Sequence, residues 1–237
     1  MALSDDLRSH VAGLFAREWN IATGRVVPNS EGTLTLKNDG TTLDATVLYA
    51  DLADSTVLVD TYPAWFAAEI YKAFLTCAAR IISVEGGEIT AYDGDRVMAV
   101  FIGEMKADRA VRTAQKINWA VLNIIRPAIA LNYPSASYVL KHVCGIDSSE
   151  LLVAKIGVRA ATDLVWVGRA ANYAAKLASE DDAHSTYITA DVYFEATDRV
   201  KLAGGVGENL WWLTPTTTLP HMNVVASNSE WRIDAAP

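Results

Sequence analysis

Cysteine is scarce in this chain: Cys77 and Cys144 are the only two in 237 residues. That excludes a disulfide framework and a cysteine-rich zinc site, and it suits a reducing compartment. Basic residues are in deficit as well. Twenty Lys and Arg stand against 28 Asp and Glu, a formal charge of −8. A protein that holds a polyanion nonspecifically needs a basic surface, so nucleic acid is not expected as a partner. No apolar run is long enough to cross a bilayer. The most apolar stretch, Ile117 to Tyr133, is broken by Asn118, Asn123, Arg126, Pro127 and Asn132. It reads as a core helix ending at Arg126, before Pro127. The segment Met1 to His10 starts acidic and lacks the apolar stretch of a signal peptide, so a cytoplasmic location is expected. There is no internal repeat and no low-complexity tract.

What is present suits a folded domain. Hydrophobic residues make up 51% and charged residues 20%, enough to build a core. Ser4 is placed to cap a first helix, with Asp5 and Asp6 in its first turn and Leu7, Val11, Leu14, Phe15 and Trp19 at helical spacing up to Asn20. Residues 21–43 carry Gly24, Pro28, Gly32 and Gly40 and read as loop, with one short strand at Thr33 to Leu36. An apolar strand covers 44–50 and ends at Asp51. A helical pattern opens at Asp54-Ser55-Thr56, and a longer helix follows Pro63 up to Gly86-Gly87. Two strands, Glu88 to Tyr92 and Arg96 to Ile102, flank the Asp93-Gly94 hairpin signal. A helix is expected over Ala107 to Arg126. Strands follow at Tyr138 to Asp147 and Leu151 to Ile156, separated by Ser148-Ser149. Then come a strand at Asp163 to Val167, a helix at Ala170 to Ala178, a strand at Tyr187 to Thr189, a helix at Ala190 to Glu195 and a tail strand at Leu210 to Leu213. Mixed elements with antiparallel hairpins predict an α+β sandwich, helices covering a mostly antiparallel sheet. Trp211, Trp212 and Trp231 are expected to pack on the domain.

Three segments carry chemistry. In Leu48-Tyr49-Ala50-Asp51-Leu52-Ala53-Asp54-Ser55-Thr56 an acid sits where a strand meets a helix start. Backbone N–H groups there attract phosphate, and a carboxylate can hold the neutralising cation. The plain alternative is that Asp51 or Asp54 caps the helix. In Tyr92-Asp93-Gly94-Asp95-Arg96 the turn accounts for Asp93, while Asp95 begins an apolar strand that needs no acid. Two carboxylates on neighbouring strand ends can hold two divalent ions. In Val167-Gly168-Arg169-Ala170-Ala171-Asn172-Tyr173-Ala174-Ala175-Lys176, Asn172 and Lys176 are four apart and share a helix face. A neutral donor beside a cation suits a ribose and a phosphate. Taken alone, that segment reads equally as an ordinary amphipathic helix.

Together with Gly86-Gly87 and with Cys144-Gly145-Ile146-Asp147 through Lys155-Ile156-Gly157, the order and spacing of these segments resemble a class III nucleotidyl cyclase domain. The resemblance spans about residues 43–200. It leaves 1–42 as an N-terminal helix and loop, and 201–237 as a C-terminal extension. It implies the ferredoxin-like palm fold of that family. It also implies that Asp51 and Asp95, with the Leu52 carbonyl, hold two Mg²⁺ or Mn²⁺ ions. The ribose 3′-hydroxyl then attacks the α-phosphorus and pyrophosphate leaves. Backbone from Ala53 through Asp54 and Ser55 to Thr56 would cradle the β- and γ-phosphates. Asn172 would orient the ribose. Lys176 stands where the family usually has Arg, so it supplies charge without a bidentate fork. The family builds its sites from two subunits, which implies a head-to-tail homodimer.

Purine cyclases of this pattern read adenine with a Lys and an Asp at places occupied here by Ala91 and Val165. Neither can hydrogen-bond through its side chain, and the usual guanine-reading residues are also absent. Tyr49, two residues before Asp51 on the same strand face, could narrow the pocket to one ring. Arg96 could reach a base carbonyl. Core packing for Tyr49 and a surface ion pair for Arg96 are the plain alternatives. A chain with this pocket resembles the pyrimidine cyclases of bacterial anti-phage (Pycsar) signalling. UTP is then the favoured substrate over CTP, and the cyclic product acts on a separate effector protein. The competing readings are an adenylate or guanylate cyclase with an atypical pocket and a non-catalytic nucleotide-binding module. A diguanylate cyclase, suggested by Gly86-Gly87-Glu88, has no use for the Asn172/Lys176 helix. Retaining both Asp51 and Asp95 argues against a decayed site, since unpaired buried acids cost stability.

Overall fold

The structure is a computed structural model and describes residues 2–29, 31–32, 34–158 and 161–233. Two long strands form its centre, β2 (Asp39–Leu52) and β5 (His142–Val158). They pair antiparallel along thirteen positions, from Gly40 opposite Ala154 to Leu52 opposite His142. Around them run α1 (Leu3–Ala16), β1 (Asn20–Thr23), α2 (Ser55–Thr61), α3 (Ala64–Val84), β3 (Glu88–Asp93), β4 (Arg96–Ile102), α4 (Lys106–Ala120) and α5 (Arg126–Asn132). Then follow β6 (Ala161–Val167), α6 (Arg169–Ala178), β7 (Thr186–Thr189), α7 (Ala190–Glu195), α8 (Asp198–Lys201), β8 (Trp212–Leu213) and β9 (Val224–Ser227). The sheet order is β3-β4-β2-β5-β7-β9-β8, with β1 on β2 and β6 on β5. Only the β1–β2 and β5–β7 pairs are parallel among the described strands. This is the expected α+β arrangement.

The alternation of β2 divides the core between two faces. Leu48, Ala50 and Leu52 pack with Phe66, Ile70 and Phe74 of α3 and with Val111 and Ile117 of α4. Leu43, Ala45 and Val47 pack on the other face with Ala170, Ala171 and Ala174 of α6. Both faces are covered, so the strand reads as a continuous apolar run. Helix α6 lies close because β5 carries Gly145. A Cβ there would stand 2.2 Å from the Ala174 carbonyl oxygen and 2.4 Å from the Ala178 nitrogen. Backbone cannot yield as a flexible side chain can. Gly145→Ala is therefore expected to cost about 2–3 kcal/mol of stability by overpacking, read as a lower urea midpoint, and to displace the helix that carries Asn172 and Lys176.

Several elements differ from the sequence reading. Helix α1 starts two residues earlier than a Ser4 cap implies. Its cap position is Ala2, whose carbonyl receives the Asp5 and Asp6 N–H groups. It ends at Ala16 rather than Asn20. The Asn38 side chain takes the Leu14 and Arg17 carbonyls at 2.8 and 3.0 Å, and the chain turns into β1. None of its residues is buried. The strand expected at Thr33 to Leu36 is not formed at Leu34 to Leu36, and Thr33 lies outside the described residues. Asp39 instead accepts the Thr35 N–H and hydroxyl, a local bond that competes with a strand. The helix expected to stop before Pro127 continues through it. Residues Val121–Ile125 widen into a π-turn in which the Arg126 N–H reaches the Val121 carbonyl. Pro127 then falls at the start of α5, where a missing N–H costs little. Ser148-Ser149 does not interrupt β5. Ser148 Oγ bonds Thr46 Oγ1 at 2.7 Å, and Ser149 Oγ accepts the Ala170 N–H at 2.9 Å. The tail strand shortens to Trp212–Leu213 and pairs with β9, an element the sequence pattern does not announce. Trp211 is buried and Trp231 packs on the core, whereas Trp212 is exposed.

Candidate active site

The β2–β4 ladder ends at the pair Ala50–Val97. Asp51 and Asp95, just beyond it, therefore emerge together at one end of the sheet. The tight turn between β3 and β4 uses Gly94 at φ 63°. Burial, and next the neighbouring Asp95, push the Asp51 carboxyl up to about 6, against the pull of Arg96 and of the Leu52 N–H. Asp95 Oδ2 is buried with no hydrogen-bond partner among the described residues. Two close carboxylates, one with an orphaned oxygen, are a charge arrangement that a divalent cation relieves. Among the described residues no trio of His, Cys, Asp or Glu is grouped to cage a metal. The donors that fit are the two carboxylates and nearby backbone carbonyls, the sparse set Mg²⁺ accepts when substrate phosphates and waters complete its shell.

A groove of about 320 Å³ opens beside Asp51, and Asp51, Asp54, Glu180, Asp181 and Asp182 line it. So acidic a wall repels a triphosphate unless cations accompany it. Asp54 is left-handed, with φ 57°, and its side chain makes no capping bond, so the plain cap alternative fails there. Ala53 is a correction to the phosphate cradle: its N–H is already bonded to the Lys141 carbonyl at 3.0 Å. The donors left at the start of α2 are those of residues 54–57, ahead of the first helical bond from Leu58 N to the Asp54 carbonyl.

Asn172 and Lys176 lie on the exposed side of α6. Asn172 Nδ2 makes a 3.4 Å bond to the Gly168 carbonyl. Neither makes a hydrogen bond or ion pair with Asp51 or Asp95 among the described residues. The chain thus brings the acidic pair together, and separately the polar pair, but does not join the two. The N-terminus of α6 is fixed by Arg169, whose Nε donates to the fully buried Asp147 at 3.0 Å while Thr189 Oγ1 donates to the same carboxylate at 2.6 Å.

The residues singled out around the base divide as well. Tyr49, Met98 and Ala91 are lateral neighbours across β2, β4 and β3. The Tyr49 ring is half-buried against the α6-side core, and burial raises its phenol. Arg96 ion-pairs with Asp93 at 2.6 Å, the plain alternative, and also lies 6.0 Å from the centre of the Tyr49 ring. Ala91 is exposed, and Val165 is half-buried on β6 opposite Ala154. Their neighbours Thr90, Leu164 and Trp166 line a cleft of about 340 Å³.

Three residues around the acidic pair escape sequence reasoning. Tyr71 of α3 lies near the pair, its phenol raised by burial and by Asp95 and Asp51. Lys141 ion-pairs with Asp182 at 2.6 Å. Tyr138 lies in the segment leading into β5, with its hydroxyl buried. Each reaches the site from a segment distant in sequence, and no local motif marks any of them.

No family model matches the chain. It is 52% identical over 234 residues to a uridylate cyclase of Xanthomonas perforans, covering 99% of this chain and 100% of that protein. A uridylate cyclase of Burkholderia cepacia is 52% identical over 212 residues, covering 89% and 91%. One from Rhodovulum is 36% identical over 197 residues, covering 81% and 82%. Among solved structures, a guanylyl cyclase superposes with a TM-score of 0.64 at 20% identity, covering 79% of this chain and 92% of that one. A bacterial light-regulated adenylyl cyclase gives 0.65 at 20% identity, covering 82% and 53%. At such identities the structural likeness speaks for the fold.

Proposed function

The chain belongs to the uridylate cyclases and is a pyrimidine nucleotide cyclase with the cyclase fold, and from that premise we propose that it converts UTP to 3′,5′-cyclic UMP and pyrophosphate. The observation that carries the site assignment is the Asp51–Asp95 pair, with its raised carboxyl and its orphaned oxygen. Asp51 and Asp95, with the Leu52 carbonyl, would hold Mg²⁺ or Mn²⁺. Bound there, divalent cations make the ribose 3′-hydroxyl more acidic and offset the charge gathering on the departing pyrophosphate. The chain's own groups do the rest. The N–H groups of Asp54, Ser55 and Thr56 receive the β- and γ-phosphates. Asn172 turns the ribose so that its 3′-oxygen lies in line with the bond that breaks between the α-phosphorus and the bridging oxygen. Lys176 places one positive charge against the α-phosphate. Tyr49 and Arg96 lie beside the pair, where a one-ring base fits, and Ala91 and Val165 withhold the side-chain hydrogen bonds a purine would use.

The polar pair stands exposed on α6 and makes no bond to its own acidic pair among the described residues, which supports a homodimer with shared sites. The cyclic product serves a separate effector protein, in keeping with the anti-phage pyrimidine cyclases the sequence resembles. No helix among the described residues is long and apolar enough to cross a membrane.

The test is to incubate the protein with ATP, GTP, CTP or UTP and Mn²⁺ and to resolve the products by mass. Cyclic UMP from UTP, well above any other product, is the expected result. Cyclic CMP would reassign the base within the pyrimidines. Cyclic AMP or GMP would overturn the reading of Ala91 and Val165 while leaving the fold in place.

A further inference from the structure

One polar atom near the acidic pair is unexplained by these roles. The Tyr138 ring is held edge-on against Tyr62 and Phe66, at centroid distances of 5.7 and 5.9 Å. Its hydroxyl is buried and has no hydrogen-bond partner among the described residues. The segment that carries it runs beside the turn at the start of α2, fixed there by the bond from Ala53 N to the Lys141 carbonyl. Burial raises the phenol to about 12, and Asp54 and Asp95 lie close enough to add to the rise, so it is a neutral donor at physiological pH. The Lys141 ammonium in this corner is already engaged by Asp182. Folded proteins rarely leave a buried hydroxyl unpaired, and an unpaired one at a binding site points to a ligand that completes it.

We propose that the Tyr138 hydroxyl donates a hydrogen bond to the terminal phosphates of the bound nucleoside triphosphate and so positions the leaving pyrophosphate. This rests on the reading of residues 51–56 as the triphosphate site. The ring is already packed in place, and the hydroxyl adds no positive charge to a corner whose cations come with the substrate.

Tyr138→Phe tests this, because it keeps the aromatic contacts and removes only the hydroxyl. One hydrogen bond to a charged acceptor corresponds to about a tenfold change in affinity. KM for UTP is expected to rise by that factor, with kcat nearly unchanged. Inhibition by pyrophosphate should weaken in parallel, whereas inhibition by the cyclic product, which lacks the terminal phosphates, should not change. The variant should also melt at a higher temperature than wild type in the absence of nucleotide, since it no longer buries an unpaired hydroxyl; a purely structural hydroxyl would give the opposite shift. Calorimetry with pyrophosphate and Mn²⁺ reads the same contact without turnover. Equal pyrophosphate affinity in the two proteins, or a fall in kcat with KM unchanged, overturns the proposal. A wild-type protein that binds pyrophosphate but cyclises nothing overturns the activity and leaves the Tyr138 contact to be judged by the calorimetry.

Discussion

Asp51→Asn is expected to reduce cyclic nucleotide formation by about three orders of magnitude, since a lost metal ligand forfeits several kcal/mol of transition-state stabilisation and each 1.4 kcal/mol is a factor of ten. The same substitution should stabilise the fold in metal-free buffer. A carboxyl whose folded pKa is raised to about 6 binds its proton more tightly folded than unfolded. Its unfavourable contribution is absent below the unfolded value and grows as pH rises through the folded one. Partial exposure screens part of this, so the result to look for is a direction. The variant should melt above wild type at pH 8, and the difference should vanish at pH 4. Asp95→Asn should lose activity on the same scale. Product mass spectrometry and thermal melts across pH check both halves. Activity retained in either variant with unchanged dependence on Mn²⁺ would sink the paired-carboxylate assignment. A loss of activity accompanied by a lower melting temperature at pH 8 would instead place Asp51 among the residues that hold the fold.

This opposition between stability and chemistry explains which parts of the protein the sequence makes legible. Strand β4 follows from Asp93-Gly94 and an apolar run, and it forms over the expected Arg96 to Ile102. Helix α6 likewise follows from a Gly168 start and an alanine-rich face. Both are local patterns, each sufficient to set its own backbone. Asp51 and Asp95 stand out for the reverse reason: an apolar strand gains nothing locally from an acid at its end. Where the outcome depends on a distant segment, the sequence misleads. Ser148 and Ser149 look like a break, yet Thr46 and the first turn of α6 satisfy their hydroxyls and keep β5 continuous. Pro127 looks like a stop, yet a π-turn one residue upstream moves it to the start of a new helical segment. Tyr138 carries no signal at all, because its meaning lies in the unpaired state of its hydroxyl beside residues far away in the chain.

The second large effect concerns how many chains make one site. Asn172 and Lys176 are exposed on α6, and neither makes a hydrogen bond or ion pair with Asp51 or Asp95 among the described residues. If a second copy supplies the polar pair, Asp51→Ala and Asn172→Ala are each inactive alone but complement when mixed. In a symmetric dimer with two composite sites, a heterodimer of the two variants has one site carrying both defects and one carrying neither. Random exchange at equal concentrations makes half the dimers mixed, so about a quarter of the wild-type sites are restored. The measurement is cyclic UMP formation after the variants have been incubated together, with subunit exchange followed by native mass spectrometry on differently tagged chains. Recovery should rise with time at the rate of exchange and stop near that fraction. A site built within one chain predicts no recovery however complete the exchange, because every chain in the mixture lacks one half of its own machinery. Exchange without recovery would therefore return Asn172 and its helix to the same chain as the carboxylates and require α6 to move toward them when substrate binds.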